Sequence, residues 1–220
     1  MRPLTGELLL EAWQRGTSEP YHARALGMLA AACPDRNWDE LADLSIAERN
    51  RELLRVRHMT FGDDLKGCLP CESCSTRVEF EIPVSSMMEN PHFEGKAELM
   101  RPATSRDLVA VWESADPRGS LLAQCLLNGD DNLDPDRAAE EFNRLNADAE
   151  IQFTLACPAC GIVQRTELDI VRFLWSELRH AAKSLLFEVH ELASAYGWSE
   201  ASILSMNASR RAMYLEMARV

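Results

Sequence analysis

Four cysteines set in two matching pairs constrain this chain more than any other feature: Cys71-Glu72-Ser73-Cys74 and, 82 intervening residues later, Cys157-Pro158-Ala159-Cys160. Two residues between ligands let one tight turn aim both thiols at a point. Two such half-sites complete a tetrahedral site for Zn²⁺, which prefers thiolates. A strand-like run follows each pair, residues 78–82 (VEFEI) after the first and 166–170 (TELDI) after the second. The expectation is a split zinc ribbon holding one structural Zn²⁺ per chain on Cys71, Cys74, Cys157 and Cys160. Cys68-Leu69-Pro70-Cys71 is also a CxxC, so Cys68 competes with Cys74 as a ligand; the mirrored downstream runs favour Cys74.

The seven cysteines are read as metal ligands and core thiols rather than a disulfide framework. The N-terminus carries Glu7 and Glu11 where a secretion signal has an uninterrupted apolar stretch. Cys33 and Cys125 lie on apolar helical patterns and are expected in the core. With 46% apolar and 26% charged residues the composition is that of a globular protein. No apolar run approaches the roughly 18 residues of a membrane span, so no membrane contact and a cytoplasmic location are expected. The net charge is −12 over 220 residues. It is uneven: residues 83–150 hold 6 basic and 14 acidic groups, net −8, whereas residues 170–220 hold 6 and 5, net +1. An acidic surface repels phosphate backbones, which argues against nucleic acid as a partner.

The predicted fold class is α+β: mostly helical, with the small split ribbon and a long C-terminal helix. Its regions are an N-terminal helical part (1–66), the ribbon (67–82 and 151–170), an acidic helical insert (83–150) and the long helix with its tail (171–220). Thr5 and Pro20 open two short helices, with Gly16 and Pro34 as their stops. Ser45-Ile46-Ala47-Glu48 is a capping box for a helix to about Met59, whose Arg49, Arg51, Arg55 and Arg57 read as a solvated or internally paired face. In the insert, short strands are expected over residues 93–100, and helices over 104–112, 119–127 and from Pro135. Residues 151–155 alternate as a strand. From Ile170 a stripe of Leu174, Leu178, Ala181, Leu185, Val189, Leu192 and Tyr196 predicts one helix ended by Gly197. Ser199 and Asn207 then cap two shorter helices.

Catalytic patterns are missing. Asp130, Asn132, Asp134 and Glu141 sit at calcium-loop spacings, but the position needing a glycine turn is Pro135, so a helix-capping loop is expected instead. His190-Glu191 begins a zinc-protease pattern that Ser194 does not complete. A zinc closed by four thiolates keeps no position for substrate. The reading is of a protein that is not an enzyme and takes no small-molecule substrate. A zinc-ribbon nucleic-acid-binding or regulatory adaptor is the alternative.

Several segments resemble a known family: Leu53-Leu54 leading to Phe61-Gly62, the two CxxC pairs, Leu133-Asp134-Pro135, Phe173-Leu174-Trp175, the run from Glu188 to Ala193, and Tyr196-Gly197-Trp198-Ser199-Glu200 with Arg210-Arg211 and Tyr214-Leu215. They are similar to baseplate proteins of contractile-tailed phages and phage-tail-like injection systems, including the baseplate hub assembly proteins of T-even phages. The resemblance covers roughly residues 45–220 and is most specific from Trp175 to Leu215. It implies an assembly factor or minor component of the baseplate hub, working in the bacterial cytoplasm during assembly. Its partners would be hub, spike or tape-measure proteins. Trp198, Arg210, Arg211 and Tyr214, residue types favoured at interface centres, are the expected partner-binding residues.

Overall fold

The structure, a computed structural model, describes residues 1–88, 99–127 and 134–219. It is α+β, with a helical body carrying two small antiparallel hairpins. Its axis is α9 (Ile170–Tyr196), 27 residues and about 40 Å long. Helices α1 (Gly6–Ser18), α2 (Tyr21–Ala32) and α4 (Ile46–Phe61) surround its first half. Leu9, Leu10, Leu26, Leu29, Leu53 and Leu54 meet Ile170, Leu174, Leu178 and Leu185 there in one buried cluster. The stripe places Ala182 in this core, with Ala181 flanking it. Burial of these side chains, at about 25 cal/mol per Å², is the main force holding α9 to the N-terminal helices.

The N-terminal part differs from expectation in two places. Gly16 does not stop α1, which runs on to Ser18. A Cβ at Gly16 would lie 2.5 Å from the Trp175 ring. The glycine therefore makes room for an indole from α9, whose ring also lies under the Arg24 guanidinium at 5.0 Å. Helix α3 (Trp38–Ala42) is an element beyond those expected, although Asn37 and Glu40 form a capping box at its start.

The Ser45–Glu48 box does open α4. Its arginines divide: Arg55 pairs with Glu52 at the surface, whereas Arg49 and Arg57 are buried. Arg57 reaches across to α9, with Nη2 2.9 Å from Glu177 Oε1 and Nε 3.1 Å from Oε2. It also donates to the Gly62 and Asp64 carbonyls, both at 2.8 Å.

The hairpins are β1 (Asp64–Pro70) with β2 (Arg77–Pro83), and β3 (Ile151–Ala156) with β4 (Val163–Leu168). They share one register: Leu65 pairs with Ile82, and its counterpart 86 residues later, Ile151, pairs with Leu168. Short α5 (Val84–Met88) follows β2 as α9 follows β4. In the insert α6 (Ser105–Val111), α7 (Pro117–Cys125) and α8 (Pro135–Asn146) enclose a second small core of Met100, Ala103, Cys125, Ala138 and Leu145. Trp112 lies beyond α6 and is 57% exposed, against the His22 ring. Most of the strand expected over residues 93–100 lies outside the described residues; Met100 bridges to Leu126.

The calcium-like spacing has other uses. Asp134 caps α8 and Glu141 pairs with Arg144, while Asp130 and Asn132 lie outside the described residues. Beyond α9, which Gly197 terminates, α10 (Glu200–Leu204) and α11 (Ala208–Ala218) fold back. They cover Val189 and Leu192 with Ile203 and Leu215. Among the described residues no helix is long and apolar enough to cross a membrane.

Candidate metal centre

The hairpins converge at their turns, where the sulfurs of Cys71, Cys74, Cys157 and Cys160 all lie within 4.8 Å of one another. Cys71 Sγ is 3.7 Å from Cys160 Sγ, and Cys74 Sγ is 3.6 Å from Cys157 Sγ. Four thiolates at about 2.3 Å from a tetrahedral Zn²⁺ are about 3.8 Å apart, so these separations fit such an ion. Both close pairs cross between hairpins, so an ion here would tie together two segments that share no ladder. Cys68 stays on β1, opposite Glu79, outside the cluster; Cys74 is the fourth sulfur.

The turns are built alike. Ser75 N–H donates to the Cys71 carbonyl as Gly161 N–H donates to Cys157, and Cys71 and Cys157 donate to Thr76 and Ile162 in turn. The residue after the second cysteine needs a left-handed backbone: φ is +74° at Gly161 and +58° at Ser75. Serine at that place in the first turn carries a conformation that glycine accepts without strain. Glu72 occupies the place that Pro158 holds in the second turn, and its N–H is in use. It donates to Oε1 of Gln164 at 3.1 Å, and Gln164 is a buried residue of β4.

The surroundings favour the thiolate at Cys74 and Cys157 and oppose it at Cys160. Cys74 Sγ is hydrogen-bonded to the Thr76 hydroxyl at 3.3 Å, and this contact together with the Thr76 backbone N–H lowers the Cys74 thiol to about 6. Backbone N–H groups of Cys160 and Ala159 lower Cys157. At Cys160 the Ile162 N–H pulls the same way, but burial and the three neighbouring sulfurs outweigh it and hold the thiol at about 11. Four negative sulfurs at this spacing repel, and a bound cation is what permits all four to ionise together. Cys71 and Cys157 are buried against Val78 and Leu155, while Cys74 and Cys160 face solvent. The four cysteines could hold a metal ion and leave it no vacant ligand position.

The remaining cysteines stay apart: Cys33 and Cys125 are buried, and burial raises the Cys125 thiol to about 11.

The expected partner-binding residues are placed unevenly. Trp198 and Tyr214 are half-buried on the cluster around Leu192, with Tyr196 stacked on Trp198 at 4.5 Å between centroids. Arg211 is buried; Nε donates to Glu188 Oε2 at 2.9 Å and Nη1 to the Met206 carbonyl. It therefore fastens α11 to α9 and is not open to a partner. Arg210 lies over the Tyr214 ring at 5.6 Å and remains exposed. Among the described residues of α9 and α11, Phe187, Met213 and Met217 are the most exposed large apolar side chains. None is among the binding residues expected from the sequence, although Met213 and Met217, four apart with Leu215 between them on the buried side, have the spacing of an outer face.

Comparisons with family models, curated proteins and solved structures give no match for this chain.

Proposed function

We propose that this chain is a baseplate hub assembly factor, or a minor structural component, of a contractile phage tail or phage-tail-like injection system. It acts through protein contacts, and Zn²⁺ is the ion of the four-cysteine site. The reading rests on the resemblance in the segment from Trp175 to Leu215. The observation that carries it is the position of the sulfur cluster, a closed clamp between two hairpins, one of which leads directly into α9. When bound, Zn²⁺ supplies a rigid link and no open coordination site for catalysis. The residues free to meet a hub, spike or tape-measure protein on the tail are Arg210, Met213 and Met217, with Trp198 and Tyr214 supporting them from beneath.

Two measurements test this. Metal analysis of purified protein should give about one zinc per chain, lost in Cys157→Ser/Cys160→Ser. The large helical core holds none of the four ligands, so that variant should keep its helical circular dichroism while the hairpins loosen. Protein without zinc would defeat the metal assignment. Met213→Glu/Met217→Glu, which leaves Arg211 and Leu215 in place, should abolish baseplate assembly and co-purification with hub proteins. Intact assembly would defeat the proposed docking role of the tail.

A further inference from the structure

Helix α9 sorts its charges by face. Each of its three glutamates is bound by an arginine from elsewhere: Glu177 by Arg57 at 2.9 Å, Glu188 by Arg211 at 2.9 Å and Glu191 by Arg219 at 2.8 Å. Its three cations, Arg172, Arg179 and Lys183, are exposed, and none has a salt-bridge partner among the described residues. At 100° per residue, Arg172, Arg179, Lys183, Phe187 and His190 fall on one face, spread over roughly 27 Å of helix. Phe187 is 71% exposed at the centre of its C-terminal half, and His180 and His190 flank it. In a chain of net charge −12, this side of α9 carries cations and an aromatic ring with no free carboxylate of the helix beside them.

Complementarity narrows what can cover it. In a second copy docking by the same face across a two-fold axis, Arg179 and Lys183, near the middle of the stripe, would meet their own counterparts. A nucleic acid would gain counterion release from three cations only, against the repulsion of the acidic remainder. An acidic protein helix suits both features, because its carboxylates match the cations and its apolar stripe covers Phe187.

We propose that the exposed face of α9 docks an acidic amphipathic helix of a partner protein, with Phe187 packed into its apolar stripe and Arg172, Arg179 and Lys183 paired with its carboxylates. This rests on the reading of the chain as a protein-contact factor and adds to the tail surface a second, separate contact of stated chemistry.

The test uses the full chain and a fluorescently labelled synthetic peptide of about 20 residues, roughly 30 Å of helix, with glutamates on both sides of a leucine stripe. Anisotropy should report saturable binding at about 0.05 M salt that weakens strongly at about 0.5 M. Arg179→Glu/Lys183→Glu should weaken it about tenfold or more, from two surface contacts reversed in sign. Phe187→Ala should weaken it as well. A lysine-for-glutamate peptide should not bind, and Met213→Glu/Met217→Glu should leave binding unchanged. Absence of binding, binding that survives the charge reversal, or preference for duplex DNA of the same length would overturn the inference. If the peptide binds as expected while the α9 and α11 variants all assemble baseplates normally, the inference stands and the functional reading fails.

Discussion

Arg57 offers the sharpest check on how this fold is held together. Its side chain is 3% exposed, and its guanidinium joins α4, the start of β1 and α9 through Glu177, which is 24% exposed. Arg57→Met keeps much of the side-chain volume but strands Glu177 and two carbonyls. Removing one member of a buried pair costs about 3–5 kcal/mol. Water can reach Glu177 in part, which brings that portion down to about 2 kcal/mol. The carbonyls of Gly62 and Asp64 add about 1 kcal/mol each at most. The sum is about 3–4 kcal/mol, which for a chain of this size lowers Tm by roughly 6–16 °C. Urea unfolding of the wild type, Arg57→Met, Glu177→Leu and the double variant would measure it. The double variant should recover much of the loss, because no charge is left buried alone. A cost below about 1 kcal/mol for Arg57→Met, the value for a solvated arginine, would refute the reasoning.

The two knuckles predict opposite responses at matched sites: Ser75→Gly should stabilise by about 1 kcal/mol and Gly161→Ala should destabilise by a similar amount, measured on the metal-loaded protein. Glu72→Pro should cost about 1–3 kcal/mol by leaving Gln164 Oε1 without its donor, whereas Glu72→Ala, which keeps the N–H, should be near neutral. Asp107 gives a pH dependence. Burial alone would raise its carboxyl, but the Arg101 guanidinium and the Thr104 donors outweigh burial and lower it. A depressed folded pKa contributes stability that is present above the unfolded value near 3.9 and lost as pH falls through the folded one. Asp107→Asn should therefore weaken the protein at pH 7 and flatten the acid limb of a stability-against-pH curve; an unchanged limb would contradict this assignment.

Features whose cause is local were legible in the sequence. The CxxC spacing, the capping box at Ser45, the caps at Ser199 and Asn207, and the stripe of α9 each depend on residues within a turn or two of one another. The features that escaped depend on partners far along the chain. Gly16 reads as a helix stop until Trp175 is placed against it. Arg57 reads as one of four cations on a polar face, because its reason for burial, Glu177, is 120 residues away. Arg211 looks like an interface residue for the same reason, since an arginine in a surface-like pattern shows nothing of Glu188. The mirrored strands favour Cys74 over Cys68, and the sulfur positions make that choice physical.

The mirrored strands also explain how the site is built. Leu65 and Ile151, and likewise Val84 and Ile170, stand 86 residues apart in the chain, and all four enter the same core. The hairpins are therefore anchored by apolar burial at their bases, and an ion held by the four sulfurs would anchor them a second time at their turns. Between these anchors Phe80 and Phe153 meet, with ring centroids 5.1 Å apart. The two hairpins lead into unlike helices: α5 is a 5-residue helix that hands the chain to the insert, and α9 is a 27-residue helix that carries the tail. Changing the angle between the hairpins would have to turn α5 against α9 within a packed core, and packed cores resist graded deformation. An ion in the sulfur cluster would therefore act less as a local staple than as the far end of a frame. That frame sets the direction of α9 and, through it, the outward faces of α9 and α11.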